Sequence, residues 1–71
     1  MNKIVDNFNP QTKLLSIQAE THFKLEIISE SGIISSLKAN KLTDLSFLQK
    51  GIYCYRITTE QEIIVRKITI K

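Results

Sequence analysis

The chain has 71 residues, enough for one domain and near the lower size at which a hydrophobic core suffices without staples. Its single cysteine, Cys54, excludes an intramolecular disulfide, and one thiol with one histidine, His22, cannot complete a structural zinc site. A hydrophobic share of 42% against 24% charged residues belongs to a folding chain, and the net charge of +3 is scattered, without the clustered stripe that nucleic-acid binding needs.

The N-terminal stretch "MNKIVDNFNP" has no apolar run of signal-peptide length, and no segment is long and apolar enough to cross a membrane as a helix. Two explanations fit that stretch: a cytoplasmic protein, or a domain cut from a longer exported one with Met1 added for expression. Residues 1–7 read as an N-terminal edge segment or linker, with Lys3–Asp6 able to form a short edge strand. Pro10 precedes the first firm strand, where a missing N–H costs least.

Strand signals then dominate. "KLLSIQ" (Lys13–Gln18) puts Leu15 and Ile17 on one face, and "HFKLEIIS" (His22–Ser29) alternates Phe23, Leu25 and Ile27 with Lys24 and Glu26. "SESG" (Ser29–Gly32) predicts a tight turn whose glycine takes positive φ, and "IISSLKA" (Ile33–Ala39) returns as a half-exposed strand. In "NKLTDLSFLQKG" (Asn40–Gly51) the leucines at 42, 45 and 48 recur every third residue. That spacing suits an extended lead into one turn of 3₁₀ or α-helix, capped by Asp44 or Ser46. Gly51 then resets the backbone before "IYCYRITT" (Ile52–Thr59), with Tyr53, Tyr55 and Ile57 on one side. "TEQE" turns the chain into the β-branched terminal strand "IIVRKITIK" (Ile63–Lys71).

The pattern predicts an all-β fold, a small antiparallel β-sandwich of about six or seven strands. Its expected core is Leu15, Ile17, Phe23, Leu25, Ile27, Leu45, Leu48, Tyr53, Tyr55 and Ile57. The unpaired edges of such a sandwich leave room for strand-mediated self-association.

Chemistry has little to work with. A nucleophile needs a base within hydrogen-bond reach and a group to orient that base. Cys54 and His22 are the one pair to consider, and they read more simply as a small apolar filler and an exposed turn residue. No phosphate loop, paired-carboxylate spacing or metal motif occurs. The expectation is a protein without catalytic residues, metal or cofactor.

The segment "LTDLSFLQKGIY" (Leu42–Tyr53) is more specific when read with its flanks. Asn9-Pro10 precedes "KLLSIQ", "LEIISESG" follows, and "IIVRKITIK" closes the chain. Over roughly Phe8 to Lys71 this order resembles the type A C-terminal sorting domain of the type IX secretion system. Two positions depart from the family pattern. "NFNP" lacks the first proline of the usual Tyr-Pro-Asn-Pro opening, and Ser29 stands where an aspartate often begins the turn.

The resemblance implies an immunoglobulin-like sandwich over residues 8–71 and a parent protein exported to the cell surface through the periplasm and outer membrane. It implies as partners the translocon, a sortase-like peptidase that usually removes the domain, and a cargo domain N-terminal to it. Nucleic acid and membrane insertion have no part in it. The candidate recognition residues are Gly51 and Tyr53 in the signature, and Lys67, Ile70 and Lys71 on the terminal strand, with Arg66 beside them. An exposed terminal edge strand would invite a receptor to add a strand to the sheet. The rival readings are an Ig-like structural or interaction module that stays attached to its parent, and an independent cytoplasmic protein.

Overall fold

The computed structural model describes residues 4–71. Seven strands follow one another: β1 (Val5–Asn9), β2 (Leu14–Gln18), β3 (Lys24–Ser29), β4 (Ile34–Leu37), β5 (Leu42–Asp44), β6 (Gly51–Thr58) and β7 (Ile63–Ile70). All strand pairs are antiparallel. They form two sheets, one ordered β1-β2-β5 and the other β4-β3-β6-β7. This is the small immunoglobulin-like β-sandwich expected from the alternation, with the fourth strand paired to the third rather than to the fifth.

Local chemistry sets the turns. At the β3–β4 hairpin Gly32 takes φ +90°, a left-handed conformation that favours glycine. The Ser29 hydroxyl accepts the Ile33 N–H at 3.0 Å, so serine does the turn-closing work there without a carboxylate. The Asn9 side chain accepts the Gln11 N–H at 2.9 Å and thereby closes the turn after β1. The Thr59 hydroxyl accepts the N–H groups of Gln61 and Glu62 and so shapes the β6–β7 turn.

The core lies between the sheets. Leu15, Ile17, Leu25, Ile27, Leu45, Tyr55 and Ile57 are buried as the alternation predicts, and Ile4, Ile68 and Ile70 join them. Phe23, Leu48 and Tyr53 belong to the edge of that core, half-buried against it. Each buried aliphatic side chain is worth about 1.5–3 kcal/mol, which matters in so small a domain.

Two expectations need correction. The leucine triplet does not lead into a helix: Leu42–Asp44 is a strand paired with β2, followed by a non-helical turn in which the Leu48 N–H bonds the Leu45 carbonyl at 3.1 Å. Pairing with the exposed edge of β2 satisfies more backbone groups than one isolated helical turn could. The first strand also runs further than Lys3–Asp6 suggested, through Asn9, so the boundary between residues 7 and 8 falls inside β1. Lys3 itself lies outside the described residues.

Candidate functional site

The region between β5 and β6 carries the chain from one sheet to the other. Asp44 caps its start, accepting the Ser46 N–H at 2.9 Å, and that bond holds the Asp44 carboxyl below the usual aspartate range. Leu45 is fully buried and anchors the crossing in the core. Gly51 then takes φ +154°, which side-chain-bearing residues rarely adopt. The Tyr53 ring lies over it, its Cε1 only 3.6 Å from where a Cβ would sit.

The Tyr53 hydroxyl donates to the Gln49 carbonyl at 2.9 Å, tying the start of β6 back to the crossing. A tyrosine near the start of the sixth strand that bonds the backbone just upstream is the tyrosine corner of Greek-key sandwiches. The spacing of Leu45, Leu48, Gly51 and Tyr53 is therefore the sequence of a corner: an anchor, a half-buried partner, a backbone reset and a hydroxyl that locks it.

The two groups of candidates meet at this end of the sandwich. Gly51 pairs with Ile70, and Tyr53 pairs with Ile68. The signature segment and the end of the terminal strand are thus neighbours in one sheet, 15 to 19 positions apart in the chain. An open cleft of about 230 Å³ borders them, lined by Ser29, Ser31, Lys50, Gly51, Ile52 and Tyr53.

β7 lies at the edge of its sheet, with β6 its one strand neighbour among the described residues. Its alternation directs Ile64, Arg66, Ile68 and Ile70 toward the sandwich and Ile63, Val65, Lys67 and Thr69 away from it. Lys67 and Lys71 are exposed. Ile70 is not: only 2% of it is accessible, because its pairing with Gly51 sets its side chain into the core. The expectation that Ile70 fills a receptor pocket is corrected accordingly, since in the folded domain that side chain already fills this one.

A polar cluster joins the two terminal strands. Asp6, on the inward face of β1, accepts hydrogen bonds from Arg66 Nε at 3.1 Å and Arg66 Nη2 at 3.3 Å. The Tyr55 hydroxyl donates to the same carboxylate. Only 7% of the Asp6 side chain is exposed, against 54% for Arg66. Burial alone would push the Asp6 carboxyl up, but the bonds from Arg66 and Tyr55 and the guanidinium charge outweigh it and hold it below its ordinary value. Burial first, and then the bond to Asp6, push the Tyr55 phenol up. The bond to Asp6 raises Arg66 as well. Sequence reasoning passed over Asp6, although one carboxylate in phase with Ile4 and Phe8 was the available signal.

Cys54 and His22 are not brought together. Cys54 is half-buried on the outward face in mid-β6, between Ile28 and Lys67, and His22 is exposed before β3 at one end of the sandwich. The open cleft beside His22, about 680 Å³ and lined by Glu20, Phe23, Lys41 and Glu60 among others, lies at the end remote from Gly51 and Ile70. Among the described residues no group of three or more His, Cys, Asp or Glu could hold a metal ion.

Nothing among curated proteins or solved structures matches the chain significantly. The family model described as "Secretion system C-terminal sorting domain" matches residues 9–71, from the last residue of β1 through all of β7. With its corner motif and terminal strand set side by side in an all-β sandwich, the chain belongs to the C-terminal sorting domain family of the type IX secretion system, a family of signal domains rather than enzymes.

Proposed function

We propose that this domain carries a longer parent protein from the periplasm across the outer membrane, and that a sortase-like peptidase then removes it at the cell surface. The parent's cargo precedes residue 4, and residues 4–71 are the folded signal. The observation that carries this reading is the family match over residues 9–71. Membership in that family implies association with the type IX secretion machinery and a surface or secreted destination.

Within the domain, Gly51 and Tyr53 act through the fold, by fixing the corner that supports the end of β7. Lys67 and Lys71 are the side chains offered to the translocon, since both are exposed and on or next to the terminal strand. Ile70 contributes by anchoring that strand. The geometry of the corner supports this division of labour, because its contacts run to the protein's own backbone and core.

The test is a fusion of the domain to a reporter directed to the periplasm, in a bacterium with the secretion system and in a strain whose translocon is deleted. The reporter should reach the surface in the first strain only, and should appear there without the domain. A reporter retained in the periplasm of the intact strain would overturn the proposal. Surface reporter that keeps the domain would overturn its removal step alone.

A further inference from the structure

The four sheet edges of this domain are unequal. β1 has five residues, β4 four and β5 three, but β7 has eight. A long regular edge is a hazard that folded proteins normally shorten, bend or cover, because its unpaired N–H and C=O groups will template another strand. β7 carries no proline or glycine, and its outward face is β-branched except at Lys67. Val65, 53% exposed, and Ile63, 63% exposed, flank the charged centre of the strand.

That centre decides which strand can pair. If a second copy joined antiparallel with the two β7 strands fully overlapped, Arg66 would stand opposite the copy's Lys67. A shift of one step either way sets Arg66 against Arg66 or Lys67 against Lys67. Like charges directly opposite destabilise a strand pair, so every register overlapping nearly all of β7 is penalised. No acidic residue occurs from Ile63 to Lys71 to relieve it. Asp6 neutralises Arg66 from within, whereas Lys67 has no ion-pair partner among the described residues.

We propose that β7 is the receiving edge for an extended segment of another protein, with a carboxylate opposite Lys67 and a β-branched residue opposite Val65, and that its adjacent cations keep a second copy of this domain off the same edge. The inference rests on the reading of the domain as a sorting signal and deepens it by naming the chemistry of the partner. Backbone bonds along β7 supply affinity, and the single outward lysine supplies selection.

The experiment uses the whole 71-residue chain. The probe is a short synthetic peptide of alternating valine and threonine with adjacent glutamates at its centre. Controls are the same peptide N-methylated along one edge, a version with lysines for glutamates, and anionic phospholipid vesicles. Hydrogen exchange resolved by residue reads which edge is covered, and sedimentation equilibrium reads self-association.

The chain should sediment as a monomer, and the glutamate peptide should slow exchange along β7 but not along β4 or β1. Neither the N-methylated nor the lysine peptide should do so. Lys67→Glu should weaken the glutamate peptide by about tenfold at low salt and should produce a dimer, because Arg66 would then face a carboxylate in the overlapped register.

Wild-type dimers protected along β7 would overturn the exclusion of a second copy. Equal binding of the N-methylated peptide, or vesicles that bind as tightly and lose as much with Lys67→Glu, would reduce the edge to a charge patch. No protection of β7 by the glutamate peptide would overturn the inference outright, and if the reporter fusion were still exported, the sorting function would stand without it.

Discussion

Gly51 and Tyr53 form a pair in which each residue explains the other. The ring of Tyr53 needs the space and backbone angle of Gly51, and its hydroxyl needs the carbonyl of Gln49 that the turn presents. Tyr53→Phe keeps the ring and loses one hydrogen bond, so it should lower stability by about 0.5–1.5 kcal/mol. Gly51→Ala has room for its methyl but must hold φ +154°, which should cost about 1–3 kcal/mol. Urea midpoints of the two variants check both figures. A Tyr53→Phe midpoint equal to that of the unmodified domain would show that the corner bond carries no stability. On this account both variants reduce export in proportion to unfolding, and raising the folded fraction with an osmolyte restores it.

At the scale of elements, β1 and β7 come from opposite ends of the chain and meet through side chains rather than through a ladder. They belong to different sheets, and Asp6 holds them together with Arg66 and Tyr55. The Asp6 carboxyl is depressed in the folded state relative to its ordinary value of 3.8. A depressed carboxylate stabilises the fold fully above its unfolded value, and that contribution is lost as pH falls through the folded one. Acid should therefore loosen β1 from about pH 4 downward.

Asp6→Asn keeps the shape and removes the charge, so its stability should be lower at neutral pH and should fall less steeply in acid. Paired urea titrations of the domain and the variant isolate Asp6 from Asp44, which is also depressed. Parallel curves for the two proteins would mean that the cluster has no linkage to folding. A second element-level outcome concerns the end of β7. Because Ile70 sits in the core, deleting Thr69–Lys71 should destabilise the sandwich as well as remove Lys71, so Lys71→Glu is the cleaner probe of recognition.

For the molecule as a whole, one core serves both sheets, and losses within it should be felt everywhere. Ile57 is fully buried and pairs with Leu25 on one side and Ile64 on the other. Ile57→Ala should cost about 2–5 kcal/mol, a large part of the stability of so small a domain. Circular dichroism should show the whole sheet signal lost in one transition at lower denaturant, and an unchanged midpoint would contradict the core assignment. The strands were legible in the sequence because alternation at period two is a local property: Phe23 to Ile27 and Tyr53 to Ile57 each declare two faces unaided. The turns were legible for the same reason, since Gly32 and Thr59 act within a few residues. Cys54 and His22 could be read as unable to form a catalytic pair from composition and position alone. What local pattern does not contain is which strand lies at an edge and which face of it turns inward when both faces bear isoleucine. In β7, Ile63 and Val65 alternate with Ile64, Ile68 and Ile70, and only pairing with β6 turns the second set into the core. Asp6 read as surface charge for a related reason, because its partners lie 49 and 60 residues away and no window along the chain includes them. The sequence by itself determined the strands, the corner and the family resemblance; the tertiary structure decided that the corner and the terminal strand are neighbours, that Ile70 is core, and that Lys67 stands exposed on the longest edge, because register and layer order are set by contacts between segments far apart in the chain.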